Sequence, residues 1–130
     1  MLSGSCLCGG VRFEIAGALE FPAEACHCGQ CRKHSGNYLV AVNVRRTALT
    51  VEGQDKVAWY RSSEKVRRGF CSACGSTLFW DPVIEGYQYT AVALGLFDTP
   101  TTARVSKHTF VRDKGDYYDI CDGMPQHEEF

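Results

Sequence analysis

Apolar and polar residues alternate along Val11-Arg12-Phe13-Glu14-Ile15, the pattern of a strand with one face buried and the other in water. Runs of similar character are YLVAVNV (38–44), ALTVE (48–52), KVAWY (56–60), TLFW (77–80), YQYTAVAL (87–94) and VSKHTFV (105–111). They are rich in Val, Thr, Tyr, Phe and Trp and are separated by Gly, Asp, Pro and Ser, which predicts short strands joined by turns. No long stretch carries a helical period. The pattern predicts at most one or two helical turns, around Gly29 to His34, closed near Gly36. There is no repeat, no low-complexity tract and no linker. The predicted fold class is mainly β, as one domain over residues 1–130 with at most short helical turns.

Composition narrows the picture. Of 130 residues, 45% are hydrophobic and 22% charged, ordinary for a globular chain with one buried core. A formal charge of −1 and a pI near 6.4 give no overall field to hold nucleic acid or an anionic membrane. No apolar run approaches membrane-spanning length. The start, MLSGSC, lacks the charged and apolar regions of a signal peptide, so the expected compartment is the cytoplasm.

The eight cysteines change the picture most. They fall as Cys6-x-Cys8, Cys26-x-Cys28-x-x-Cys31, Cys71-x-x-Cys74 and a lone Cys121. In a reducing compartment such local clusters favour a metal over disulfides, and thiolate sulfur favours zinc. Cys6 and Cys8, two apart in an extended segment, face one side. Cys71 and Cys74 sit in FCSACG, where Gly75 provides a tight turn. Joining these two pairs makes one complete four-cysteine site and leaves the triple at 26–31 with three ligands, the pattern of a zinc that keeps a position open. Spacing alone also allows other partitions. Cys6 and Cys8 can join two of the triple; Cys121 can be a fourth ligand to either cluster or a small buried hydrophobe; and His27, His34 or His108 can close the triple.

Taken together, GSCLCGGVRFEI, CHCGQCRKHSG and RGFCSACGSTLFW resemble the glutathione-dependent formaldehyde-activating enzyme family, which includes centromere protein V-like proteins. The resemblance runs from Gly4 to about Trp80 and continues through LGLFD (94–98) and KHTFVRDKGDYYDICDGMP (107–125). It implies a zinc-stabilised β-tent fold and up to two zinc ions per chain: a structural zinc on Cys6, Cys8, Cys71 and Cys74, and a catalytic zinc on Cys26, Cys28 and Cys31 open to a thiol. The activity it implies is that of a carbon–sulfur lyase that makes or splits S-hydroxymethyl adducts of glutathione, or a related small thiol, with formaldehyde or another small aldehyde. Tyr117 stands where many relatives carry Trp, and His127 where many carry Phe.

Other residues have two readings each. His27, between two ligands, is turned from the metal by an extended backbone; it is either a shuttle for the hemithioacetal proton or a hydrogen-bonded histidine beside the site. His108 has the same pair of readings. Arg32 and Lys33 either offset the thiolates and hold a substrate carboxylate or form a solvated basic turn. Lys65, Arg67 and Arg68 are expected on a solvated face, and Tyr87 and Tyr89 in the core or its rim. Competing functions are a non-enzymatic zinc module for protein interaction and a labile zinc or redox sensor. Neutral charge and scattered basic residues argue against nucleic acid as a partner.

Overall fold

The computed structural model describes residues 1–130 as two β-sheets with one short helix. The small sheet is β1 (Leu2–Ser5), β2 (Arg12–Ile15) and β5 (Leu49–Glu52), all antiparallel. The large sheet contains β3 (Ala23–Cys26), β4 (Leu39–Arg45), β6 (Val57–Arg61), β7 (Val66–Cys71), β8 (Thr77–Pro82), β9 (Tyr89–Ala93) and β10 (Val105–Thr109). Its order is β10-β3-β4-β9-β8-β7-β6, with β10 parallel to β3 and every other pair antiparallel. Helix α1 (Gly29–Ser35) links β3 to β4 and stops at Gly36, whose φ of 86° lets its N–H reach the Arg32 carbonyl. No helix is long and apolar enough to cross a membrane.

The core lies between the sheets. Phe13 and Ile15 of β2 are buried while Arg12 and Glu14 are exposed, as alternation requires. They pack with Val11, Val42, Val44, Leu78, Phe79, Val92 and Leu96. Gly4 sets how closely β1 approaches: a Cβ there would lie 2.4 Å from both the Leu96 carbonyl and the Phe13 ring. At the opposite edge the C-terminal segment covers β10. Pro125 accepts from His108 N–H at 2.8 Å, His127 N–H donates to His108 at 2.9 Å, and Glu129 accepts from Phe110 N–H at 2.6 Å.

The mainly β reading and the helix agree with the sequence pattern, but three strands lie outside the predicted runs. β1 is glycine- and serine-containing. β3 reads AEAC, weak in β-formers, and is a strand because Ala23 and Ala25 fill a fully buried seam between β10 and β4. β7 reads VRRGFC, whose charges and glycine mask the alternation; Gly69 is under the Trp59 ring, where a Cβ would meet it at 2.9 Å. The last predicted strand ends early. Phe110 turns left-handed at φ 55° and starts a short helical turn over Val111–Asp113.

Candidate metal centres

The four-cysteine cluster joins two turns. Cys6 and Cys8 belong to the β1–β2 connection, Cys71 ends β7, and Cys74 lies in the β7–β8 connection. All four sulfurs lie within 4.8 Å of one another, with Cys6–Cys8 at 3.6 Å and Cys8–Cys71 at 3.8 Å. Backbone N–H groups aim at them: Val11 donates to Cys6 Sγ at 3.3 Å and Gly10 to Cys8 Sγ at 3.4 Å. Ser76 ties the turns together, accepting from Leu7 N–H at 2.9 Å while its hydroxyl lies 3.3 Å from Cys74 Sγ. Gly75 takes φ 81° in that turn. Hydrogen bonds from the Ser76 side chain and backbone hold the Cys74 thiol down at about 5. Four sulfurs within 4.8 Å of one another, with N–H support, suit a soft dication.

The three-cysteine cluster is local. Cys26 ends β3, Cys28 caps α1, and Cys31 is buried in the helix's first turn. Their sulfurs also lie within 4.8 Å of one another, and Cys31 N–H donates to Cys28 Sγ at 3.3 Å. Sulfur neighbours dominate their acidity: Cys28 is driven down by Cys26 and Cys31, Cys26 is pushed up chiefly by Cys28, and Cys31 is pushed up by both. Three thiols this close do not all ionise unless a cation joins them. The donor set therefore fits a thiophilic metal. His27, His34 and His108 are not part of this cluster, and Cys121 is in neither. Cys121 is exposed, which corrects its expected burial; it lies in the C-terminal segment, whose residues 121–130 are all exposed.

Beside Cys28 an open cleft of about 750 Å³ is lined by Gln30, Arg32, Phe110, Arg112, Asp113 and Lys114. The lining holds three cations and one carboxylate, and Arg112 is paired outside it with Glu129 at 2.6 Å. Arg32 Nε is buried without any hydrogen-bond partner, so its guanidinium is not consumed by the protein's own acids. Lys33 is exposed and outside this lining.

The extended backbone through Cys28 (φ −65°, ψ 161°) turns His27 away from the sulfurs. It is fully buried, stacked on Tyr38 with ring centroids 4.5 Å apart. Its Nδ1 is 2.5 Å from the Tyr118 hydroxyl, its Nε2 is 2.9 Å from His108 Nδ1, and His108 Nε2 is 2.7 Å from Asp122 Oδ2. One direction of donation satisfies every link: Tyr118 O–H to His27, His27 Nε2–H to His108, and His108 Nε2–H to the carboxylate. Burial, then the fields of His108 and Lys114, push His27 down to about 4, so its imidazole is neutral at pH 7. Hydrogen bonds from Met124 N–H and His108 keep Asp122 ionised.

The basic run before Cys71 is not a solvated face. Lys65 is exposed, but Arg67 donates to Asp81 at 2.8 Å and stacks over Trp59, and Arg68 is only 4% exposed. Arg68 Nη1 donates to Cys31 Sγ at 3.5 Å. Its inward position is not legible in the sequence, because a register shift between Gly69 and Phe70 interrupts the alternation of β7. Tyr118, Tyr38 and Asp122 have no local signal; their partners lie far away along the chain. Tyr117 is exposed, with its hydroxyl 3.5 Å from the Asn37 carbonyl. Tyr87 and Tyr89 are half-buried rim residues beneath Arg46 and Arg45.

The chain is similar to known proteins at three levels. A Halomonas elongata protein named "Putative glutathione-dependent formaldehyde-activating enzyme" is 36% identical over 90 residues, 63% of this chain and 57% of that protein. The alignment therefore spans a little over half of that relative's length. An uncharacterized lyase of Schizosaccharomyces pombe is 27% identical over 119 residues, 91% of this chain and 84% of its own. A crystal structure of a Rhodobacter sphaeroides protein shares the fold with a TM-score of 0.63 at 21% identity, covering 96% of this chain and 98% of that one. The family model for the glutathione-dependent formaldehyde-activating enzyme matches residues 1–113, and the chain belongs to that family.

Proposed function

We propose that this protein is a zinc-dependent carbon–sulfur lyase of the cytoplasm that makes or splits S-hydroxymethyl adducts of glutathione, or a related small thiol, with formaldehyde or another small aldehyde. Cys6, Cys8, Cys71 and Cys74 hold a structural zinc, and Cys26, Cys28 and Cys31 hold a catalytic one. The observation that carries this reading is the contrast in donors. One cluster supplies four sulfurs; the other supplies three and borders an open cleft. Zinc held by Cys26, Cys28 and Cys31 would supply the positive charge that keeps a substrate thiol deprotonated at neutral pH.

The chain's own residues do the rest. Arg32 and Lys114, neither of which is in an ion pair, offer positive charge to the carboxylates of a peptide-like thiol entering beside Cys28. In adduct formation the thiolate sulfur bonds to the aldehyde carbon, and the carbonyl π pair moves to oxygen, which takes a proton. In adduct splitting Tyr118 takes the adduct's hydroxyl proton as it gives its own to His27 Nδ1, the His27 Nε2 proton moves to His108 and the His108 Nε2 proton to Asp122; adduct formation runs the same transfers in reverse. His108 and Asp122 fix the His27 tautomer from behind.

The uncatalysed addition is already fast, so the test is equilibrium exchange. Magnetisation transfer between free and glutathione-bound formaldehyde is measured with zinc-loaded protein and with Cys28→Ser. Faster exchange with the wild type alone is expected. No acceleration with any small thiol tried favours the protein-interaction module instead.

A further inference from the structure

We infer that Arg68 is a positioning residue of the three-cysteine centre, its buried guanidinium serving as the fixed counter-charge that favours an anionic thiolate over a neutral ligand in the open position. This rests on the reading of that centre as an open zinc site.

A guanidinium stays charged in proteins, and burying one without an anion is costly. Arg68 is 4% exposed. The ion pairs of the chain engage Arg45, Arg46, Arg67, Lys107, His108 and Arg112, but not Arg68. Its hydrogen-bond partners are Ser62 Oγ at 3.2 Å, Gln30 Oε1 at 3.4 Å and Cys31 Sγ at 3.5 Å. Two of these are neutral. The Cys31 sulfur is the one partner able to carry negative charge.

The neighbouring residue sharpens the contrast. Arg67, on the opposite face of β7, has the Asp81 carboxylate at 2.8 Å. Asp81 also accepts from Arg46 and from Thr90, and these hydrogen bonds outweigh burial to hold it ionised. Arg67 is thus satisfied as an ordinary ion pair. Arg68 is satisfied only when the sulfur cluster is anionic.

Three thiolates around a dication sum to one negative charge, and a fourth thiolate adds another. A cation held against one of the sulfurs lowers the cost of that second charge, and an N–H···S bond withdraws density from Cys31. Neither effect helps a neutral fourth ligand. In the four-cysteine cluster the N–H donors to sulfur are backbone groups of Val11 and Gly10, which carry no net charge.

The test uses the full chain loaded with cobalt(II), whose visible bands report the ligands of the metal directly. The probes are 2-mercaptoethanol, which has no carboxylate for the cleft, and imidazole, which is a neutral ligand. Arg68→Met is expected to weaken mercaptoethanol binding on the order of tenfold while leaving imidazole binding unchanged, with Arg68→Lys restoring most of the loss. Equal weakening of both probes, or none, overturns the inference. If Arg68→Met does not fold, the Ser62→Ala, Gln30→Met double variant loosens the guanidinium in place, and a smaller loss selective for mercaptoethanol is required. A wild-type spectrum unmoved by mercaptoethanol refutes the open-site reading, and this inference with it. A wild-type response with unaltered variants refutes the role of Arg68 alone.

Discussion

The two cysteine clusters use the same atoms under opposite topological conditions. The four-cysteine cluster draws on turns that are distant in sequence, with Cys8 and Cys71 sulfurs 3.8 Å apart across 63 positions. One turn belongs to the small sheet and the other to the large one, so a metal there staples the two layers around the core. The three-cysteine cluster lies within residues 26–31 and fastens almost nothing that β3 and α1 do not already hold. It is instead flanked by polar side chains, with buried Arg68 against Cys31 on one side and the Tyr118–His27–His108–Asp122 chain behind. A metal that cross-links distant segments is bound to the folding equilibrium; a metal held by one local turn is free to exchange ligands.

The largest expected effect comes from removing one sulfur from each cluster. Cys71→Ser takes a ligand from the staple. Zinc-site formation contributes on the order of 10 kcal/mol, comparable with the whole net stability of such a domain, about 5–15 kcal/mol. The variant is expected to be insoluble or unfolded. Cys28→Ser is expected to remain soluble, melt cooperatively, retain one zinc and lose thiol-dependent exchange. Soluble yield, melting curves and zinc content check both, and the reverse pattern would exchange the two assignments.

Chelation separates the clusters without mutation. A mild chelator is expected to strip the three-cysteine metal first while the circular dichroism stays that of a β-rich chain. Both ions leaving together with loss of structure would remove the distinction.

A third expectation concerns the polar wall. Replacing His27 with Gln removes the proton relay and is expected to slow exchange by roughly a hundredfold or more, with cooperative melting retained. Tyr118→Phe, which cuts the same chain between His27 and the adduct, is expected to lose as much. Equal activity of His27→Gln and wild type would make the histidine purely structural.

The smallest effect is in pH dependence. Burial first, and then His108 and Lys114, lower His27 from 6.5 to about 4. Between those values the unfolded chain binds a proton that the folded chain refuses, so the folded state loses stability as pH falls through that window. The loss attributable to this group reaches about 3 kcal/mol. His27→Gln should therefore show a shallower decline than wild type between pH 6.5 and 4 in denaturant titrations at fixed metal loading.

What could be read from the sequence divides along the same line as the clusters. Local chemistry was legible: the alternation of Val11–Ile15, the helix closed by Gly36, and the two cysteine spacings all depend on neighbours a few residues apart. Features set by packing were not. β3 is a strand because two alanines fit a closed seam, and β7 hides its alternation under two arginines with different partners. The Arg67 and Arg68 pair looks like one charge run, yet one side chain meets Asp81 and the other Cys31, 37 positions away. His27 stands out for its place between two cysteines of the triple, but Tyr118 is 91 positions from it and His108 81. Cys121 failed in the other sense: a cysteine's usual burial is a statement about cores, and the C-terminal segment has none.

The central claim is that one centre is closed and the other open, and X-ray absorption at the zinc edge tests it most directly. Fully zinc-loaded protein is measured before and after addition of glutathione, alongside Cys28→Ser carrying its remaining zinc. The wild type is expected to gain sulfur scattering on adding the thiol, while the metal left in Cys28→Ser keeps four sulfurs and does not respond. A wild-type sulfur count unchanged by thiol, with both metals already four-coordinate in sulfur, would contradict the account.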